Sequence, residues 1–434
     1  MSTRVPVTFA LLIATSSLLA ADSPMFRGTP AHTGVSSSPA PALATLKWAF
    51  STKARIVSTP AVADGVAYVG SADHRLYAIR VADGSQIWAF QTGLGVDASP
   101  AVAGGRVYVA SRDGFVYAVS AASGELVWKF ATGGERRFTA PGIHGLQPAT
   151  EMMPDPFDFF LSSPTVVDGT VYIGSGDHRV YALDAATGAV RWSFETGDVV
   201  HATPAVADGV VYIGSWDRYL YALDAATGRQ IWKFETGDDR QIYNQIGIAS
   251  SAAVADGVVL VGCRDGHFYA VDAKTGRQRW AEDNKGGWVI ASPAVRDGIV
   301  YFPTSDGTQF KAIRIATGEL VWRTVNRTVS FSSPVIAGDR VYFGSHDGLL
   351  NVLDLRTGAR VGSFATAGHT ANHERYLDAE GRMNNAAIFT DRTLDSVVIG
   401  LDRQFTLGSV LSSPVIVDGV AYFGSTDGHL YAVQ

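Results

Sequence analysis

The chain has 434 residues, of which 47% are hydrophobic and 18% are charged, and its formal net charge is −6. This hydrophobic content excludes an intrinsically disordered chain, and the negative net charge gives no electrostatic footprint for nucleic-acid binding, so we expect no nucleic-acid partner. Cys263 is the only cysteine, which excludes an internal disulfide and favours a buried structural thiol.

The first 21 residues have the pattern of a secretory signal peptide. Arg4 precedes an apolar run over residues 5–19, and the small residues Ala20 and Ala21 follow it. The run is too short for a membrane-spanning helix, and no later run approaches that length. We therefore expect an exported protein, periplasmic or secreted, with no transmembrane segment.

Residues 22–45 are rich in Pro, Ser and Ala and predict an irregular N-terminal arm, with Phe26 as a candidate anchor. Residues 46–50 then match the last strand of a repeat whose beginning is missing.

Eight repeats of about 40 residues fill the remainder, residues 46–434. In one of them, residues 210–214, 220–223 and 231–234 read as short strands, separated by turn dipeptides such as Asp208-Gly209 and Thr227-Gly228. A first strand begins at a Ser/Thr-Pro pair, so each unit has four strands. The eighth repeat ends at Gln434 without its fourth strand, which residues 46–50 supply. We therefore predict an all-β, eight-bladed propeller of four-stranded antiparallel blades, closed by an N-terminal strand.

A tryptophan occupies the same place in the fourth strand of seven repeats. These residues are Trp48, Trp88, Trp128, Trp192, Trp232, Trp280 and Trp322. In residues 182–192 and 222–232 the Trp follows Ala-x-Asp-x-x-Thr-Gly by three residues, which resembles the tryptophan-docking motif of the pyrroloquinoline quinone (PQQ) propeller family. The resemblance implies that each indole packs between adjacent blades. Gly362 takes the Trp position in the seventh repeat, so we expect that blade to be loosely docked.

The strand order places the links between blades, and the turns between second and third strands, on one face of the propeller. We call it the link face. Three links are longer than the others, namely those from Trp128 to Pro164, from Trp232 to Ala252 and from Gly362 to Pro414. The longest contains residues 363–410, which are either an inserted loop or hairpin or a degenerate ninth blade whose residues 395–400 echo a strand. We favour the insert.

The three inserted segments carry aromatic and charged residues that no blade needs for packing, so we predict that the link face is a binding surface. The alternative is that insertions accumulate wherever turns tolerate them. The candidates are Arg136, Arg137, Phe138 and His144 in the first segment, Arg240, Tyr243 and Asn244 in the second, and His369, His373, Arg375 and Tyr376 in the third.

The residues three positions before each repeat's Pro are expected to surround the channel mouth. They are Val57, Asp97, Leu161, His201, Ala249, Ile290, Phe331 and Leu411. Asp97 is the only carboxylate of this ring, whereas a hard cation needs several oxygen ligands. A pair between Asp97 and His201 is one possibility, and ordinary channel-lining polar residues are the preferred interpretation. We predict no metal site.

The family resemblance implies two functions. PQQ dehydrogenases hold PQQ and a calcium ion at the channel mouth, with an acidic catalytic residue and adjacent cysteines, but this chain has one cysteine and an apolar ring. The fold also resembles the propeller lipoprotein of the outer-membrane β-barrel assembly machinery, a non-enzymatic scaffold, although no lipid-anchor cysteine follows residue 21. We therefore predict a monomeric, non-catalytic scaffold without cofactor that binds an envelope protein or a small ligand. The alternatives are a PQQ-dependent dehydrogenase and a purely structural cell-surface protein.

Overall fold

The computed structural model of the protein describes residues 22–237 and 247–434. The predicted signal peptide and the second-segment candidates Arg240, Tyr243 and Asn244 lie outside these residues. Eight four-stranded antiparallel sheets form an eight-bladed β-propeller, which confirms the predicted fold class. Leu46–Ser51 pairs with His429–Val433 in the register Leu46↔Val433 to Ser51↔His429, so the N-terminal strand closes the ring of blades as predicted.

The strands of each blade follow one another from the channel outwards. Blade 1 consists of Ala61–Ala63, Val66–Ser71, Arg75–Arg80 and Gln86–Gln91, and blade 2 of Ala101–Ala103, Arg106–Ser111, Phe115–Ser120 and Leu126–Ala131. Blade 3 consists of Thr165–Val167, Thr170–Ser175, Arg179–Asp184 and Val190–Glu195, and blade 4 of Ala205–Ala207, Val210–Gly214, Tyr219–Asp224 and Gln230–Glu235.

Blades 5 to 8 repeat this arrangement. Blade 5 consists of Ala253–Ala255, Val258–Gly262, His267–Asp272 and Gln278–Asp283, and blade 6 of Ala294–Arg296, Ile299–Pro303, Gln309–Arg314 and Leu320–Val325. Blade 7 consists of Val335–Ala337, Arg340–Gly344, Leu349–Asp354 and Arg360–Ala365, and blade 8 of Val415–Val417, Val420–Gly424, His429–Val433 and Leu46–Ser51. The second and third strands are almost entirely buried between blades, whereas the fourth strands alternate between exposed and partly buried residues.

Each predicted docking tryptophan packs against the next blade through the same two contacts. The indole N–H of Trp88 donates a hydrogen bond of 3.0 Å to the carbonyl oxygen of Ala121. Its ring lies against Gly124, where an added Cβ would come within 2.7 Å of it and φ is +73°. Gly is therefore required at the turn by both the close approach and the backbone conformation.

The N-terminal arm replaces the missing indole at Gly362. The carbonyl oxygen of Ala42 lies 4.0 Å from the Cβ position of Gly362, and Leu43 is 5% exposed among residues of blades 7 and 8. This corrects the expectation of a loosely docked seventh blade, because the arm occupies the position that the tryptophan would fill.

The arm also closes the channel from the face opposite the link face. Its carbonyl oxygens accept hydrogen bonds from first-strand N–H groups of six blades, at Val62, Val102, Val206, Val254, Val295 and Ile336. Val35–Ser36 adds a short parallel strand to blade 7. Arg27 and His32 are buried inside the ring, where burial and the charge of Arg27 lower the pKa of His32 to about 3. Phe26 contacts His32 edge-on and lines a small central cavity of about 40 Å³.

The third inserted segment is helical, which corrects the prediction of a loop or hairpin and excludes a ninth blade. It contains three helices, Ala367–Tyr376, Asn385–Ile388 and Leu394–Phe405. Residues 395–400, which echo a strand in sequence, lie in the third helix. Its buried positions Ser396, Gly400, Leu401, Gln404 and Phe405 have helical spacing, and the Thr393 side chain caps its first turn.

The first inserted segment contains a short hairpin, Thr139–Pro141 paired with Met152–Pro154, and a 3-10 turn at Ile143–Gly145. Within the described residues no helix is both long and apolar enough to span a membrane.

Candidate functional site

The first inserted segment is fixed over the channel mouth by a buried ion pair. Asp155 contacts Arg264 of blade 5, and both side chains are at most 1% exposed. The His144 Nε2 atom lies 2.7 Å from the other oxygen of Asp155. Burial alone would raise the pKa of Asp155, but the charges of Arg264 and His144 outweigh burial and hold this pKa well below its usual range. The carboxylate is therefore ionised at neutral pH.

Arg264 lies between two indoles that do not belong to the docking set. Its guanidinium carbon is 4.6 Å from the ring centre of Trp216 and 4.1 Å from that of Trp288. Stacking on two aromatic faces and pairing with Asp155 offset part of the cost of burying the charge, although Arg264 Nε and Nη2 have no hydrogen-bond partner. Arg264 therefore has a structural role, because it holds the first segment on blade 5.

A second buried cluster holds the same segment above blades 2 and 4. His201 Nδ1 lies 2.8 Å from Asp158, and its Nε2 lies 3.3 Å from Glu135. Burial would lower the pKa of His201, but the charges and hydrogen bonds of Asp158 and Glu135 raise it to about 10. The imidazole is therefore a buried cation that binds two carboxylates of the inserted segment.

Asp97 and His201 do not pair with each other, although both lie at the channel mouth. Asp97 pairs with Arg112 of its own blade, and Arg112 donates a hydrogen bond of 2.7 Å to the carbonyl oxygen of Phe159. The possible Asp97–His201 pair is therefore wrong, since each side chain has a separate partner of opposite charge.

The channel mouth is filled by side chains. The predicted ring residues Val57, Ile290, Phe331 and Leu411 form one buried cluster with Phe159 of the first segment and with Leu401 and Phe405 of the third. Seven of the eight ring residues, all but Leu411, line the central cavity, which has a volume of only about 40 Å³. Both inserted segments therefore cover the mouth.

The predicted binding residues divide into an exposed set and a buried set. Arg136, Arg137, His373 and Arg375 are exposed, and His144 and His369 are half-buried. Phe138 and Tyr376 are each 3% exposed, which corrects their prediction as surface residues.

Both buried aromatics have packing roles. The Phe138 ring stacks on Trp216 at 4.6 Å between ring centres. Tyr376 packs with Ile388 and Leu407 inside the helical segment. Phe138 therefore packs the first segment against blade 4, whereas Tyr376 belongs to the small core of the third segment.

The first and third segments meet, and a cleft of about 910 Å³ opens between them and blades 6 and 7. The Gln147 N–H donates a hydrogen bond of 2.9 Å to the carbonyl oxygen of Arg392 at this junction. The cleft wall includes Trp288, Asn326, Thr328 and His346, with Arg327, Arg382 and Arg392 also lining it. A volume of this size falls within the range of ligand-binding clefts.

The predicted residues did not include Trp288, Asn326, Thr328 or His346 of the cleft. Trp288 lies in a link rather than in a fourth strand, and His346 precedes the recurrent Asp of a second turn. Arg112, Trp216 and Arg264 occupy that same position in other repeats. Departures from the repeat at this one position would have indicated the site, since the side chains there point to the channel mouth.

In the described part of the chain, no group of three or more His, Cys, Asp or Glu residues is arranged to hold a metal ion. Cys263 is buried, and burial raises the pKa of its thiol well above the ordinary value. The thiol is therefore protonated at neutral pH.

Comparison with known proteins identifies the family. The family model PQQ_2, described as outer membrane protein assembly factor BamB, matches residues 41–140, 113–282 and 219–434. No curated protein matches the sequence significantly.

Two solved structures illustrate the range of similar folds. BamB from Moraxella catarrhalis is 16% identical, with a TM-score of 0.65 over 90% of this chain and 99% of that chain. Quinohemoprotein alcohol dehydrogenase from Comamonas testosteroni is also 16% identical, with a TM-score of 0.69 over 95% of this chain and 80% of that one. At this identity the likeness shows the fold alone.

Proposed function

The chain belongs to the propeller family of outer membrane protein assembly factor BamB, and from that premise we propose that it is an exported, non-catalytic scaffold whose link face binds a protein of the cell envelope. The observation that carries the proposal is that the first and third segments are held rigidly on the propeller and expose charged side chains. Buried ion pairs and a packed helical core hold them on the propeller, and Arg136, Arg137, His373 and Arg375 remain exposed upon them. A rigid surface that presents several cations suits protein recognition.

The proposed place of action is the periplasm or the cell exterior, and the proposed state is a monomer. The leader-like pattern of residues 1–21 supports export. The family description makes a component of outer-membrane protein assembly the first partner to test.

The alternative is a PQQ-dependent dehydrogenase, which the fold likeness to the quinohemoprotein enzyme favours. The mouth residues fit that cofactor poorly. Phe159, Phe331 and Leu411 pack in one buried cluster at the mouth, and the central cavity has a volume of only about 40 Å³. Asp97, the one carboxylate of the ring, is paired with Arg112 and is not available to a cation. We therefore propose that no PQQ or calcium ion acts at the mouth.

Site-specific photocrosslinking tests the scaffold function. A photoreactive residue placed at Arg137 or Arg375 in the mature protein should capture one discrete envelope protein in cells. The same residue placed at Arg356, an exposed arginine in a turn on the opposite face, is the matched control. The captured protein should then bind the purified scaffold, and binding should be lost with Arg136→Ala, Arg137→Ala and Arg375→Ala combined. Equal capture from Arg356, or unchanged binding by the triple variant, would refute the choice of face.

A further inference from the structure

The cleft between the first and third segments contains an unusual concentration of buried polar atoms without partners. Fourteen buried side-chain nitrogen or oxygen atoms in the described residues have no hydrogen-bond partner, and five of them belong to residues that line this cleft. They are Trp288 Nε1, Asn326 Nδ2 and Oδ1, Thr328 Oγ1 and His346 Nε2. A buried polar group without a partner is costly, so such a wall favours a polar occupant.

The protonation state of His346 makes its free nitrogen a donor. The side-chain amide nitrogen of Gln404 donates to His346 Nδ1 at 2.6 Å. Burial lowers the pKa of His346 to about 3, so the imidazole is neutral at physiological pH and carries its single proton on Nε2. The indole N–H of Trp288 is likewise a donor and can be nothing else.

The charged residues of the cleft favour an anion. Among the described residues, Arg327, Arg382 and Arg392 line it, against one carboxylate, Asp306. Arg382 pairs with Asp378 and Glu380. No ion pair joins Arg327 or Arg392 to a carboxylate in residues 22–237 or 247–434. Two exposed guanidinium groups are therefore available to a carboxylate, which they can bind in bidentate fashion.

The remaining wall is aromatic. Phe157, Phe331, Phe389 and Trp288 line the same cleft. Phe157 and Phe389 are partly exposed and offer an apolar surface to one part of a ligand, whereas Phe331 and Trp288 are largely buried. The donors and arginines address another part of the ligand.

We propose that this cleft binds a small organic anion that joins a carboxylate to a planar apolar ring. The carboxylate lies towards Arg327 and Arg392, and the ring packs on the aromatic wall. This site is separate from the protein-binding surface of the proposed scaffold, and neither depends on the other.

Isothermal titration of the full mature protein tests the assignment with two probes of one shape. Naphthalene-2-carboxylate should bind saturably with one site per chain, and the neutral naphthalene-2-carboxamide should bind at least about tenfold more weakly, because it lacks the charge that the arginines recognise. Absence of saturable carboxylate binding, or equal binding of the two probes, would overturn the proposal and leave water as the occupant.

Variants locate the binding within the molecule. Arg327→Gln combined with Arg392→Gln should weaken carboxylate binding about tenfold or more, whereas Arg356→Gln on the opposite face should leave it unchanged. Trp288→Phe keeps an aromatic ring, removes the N–H donor and should weaken binding several-fold. Circular dichroism verifies that each variant is folded. Unaltered affinity in the double arginine variant would place the bound probe elsewhere and refute the site.

Discussion

Asp155 and Arg264 form a buried ion pair across 109 residues of sequence, and through it the first inserted segment is tied to blade 5. Removal of one partner leaves a buried charge uncompensated. We therefore expect Asp155→Ala to lower the free energy of unfolding by about 3–5 kcal/mol, measured by chemical denaturation. Asp402→Ala, at an exposed position of the third helix, is the control and should have little effect. A loss below about 1 kcal/mol for Asp155→Ala would show that the pair does not hold the segment.

The same pair predicts acid sensitivity. The pKa of Asp155 is lower in the folded state than in the unfolded state. Its contribution to stability is therefore fully present above the unfolded pKa of about 4 and is lost as the pH falls below that value. We expect the melting temperature of the unsubstituted protein to fall between about pH 5 and pH 3 more steeply than that of Asp155→Asn. Parallel pH curves for the two proteins would contradict this assignment.

His201 predicts the opposite pH dependence. Its pKa is raised to about 10 in the folded state, from about 6.5 when unfolded. Its stabilising contribution is present below about pH 6.5 and is lost as the pH rises towards 10. The difference in melting temperature between the unsubstituted protein and His201→Gln should therefore shrink between pH 6 and pH 10. A difference that stays constant from pH 6 to pH 10 would contradict the assignment of His201 as a buried cation.

Because the arm packs beside Gly362, truncation of its buried residue Leu43 should leave a cavity between blades 7 and 8. Leu43 takes the place of a docking indole between blades 7 and 8, where it is 5% exposed. Leu43→Ala should destabilise the protein by about 2–5 kcal/mol, measured by denaturant unfolding. Leu46→Ala, which truncates an exposed leucine three residues later, is the matched control. If both substitutions cost the same, the arm does not replace the indole.

Two truncations separate the roles of the arm. Deletion of residues 22–44 removes the acceptors for six first-strand N–H groups and keeps the closing strand, so we expect a lower melting temperature and a monomeric protein. Deletion of residues 22–50 also exposes the edge of His429–Val433 and should cause aggregation in gel filtration. A monomer of unchanged stability after the longer deletion would refute closure by the N-terminal strand.

The filled channel mouth predicts the absence of PQQ-dependent oxidation. Incubation with PQQ and calcium should give no dye-linked oxidation of alcohols or sugars, because Phe159 and Phe331 pack in a buried cluster at the mouth and Asp97 is paired with Arg112. A known PQQ dehydrogenase, assayed in parallel, verifies the reagents. Stoichiometric cofactor retention together with activity would overturn the scaffold function.

Much of the fold could be predicted because the repeat encodes it locally. Turn dipeptides, alternating strands and the position of the tryptophans recur with each blade, and the unfinished eighth repeat identifies residues 46–50 as its missing strand. The helices of the third segment were not predicted, because their buried positions include Ser396, Gly400 and Gln404, which carry no hydrophobic signal.

The sequence by itself determined the blade count, the closing strand and the face on which the inserted segments lie, since each depends on short-range periodicity and on the alternation of strand direction. Only the tertiary structure decided that Phe138 and Tyr376 are packed, that Asp155 pairs with Arg264, and that the arm bonds to the first strands of six blades. These contacts join residues far apart in sequence and from segments without a period. A buried charge takes its partner from whichever segment folding brings beside it, and no local pattern specifies that segment.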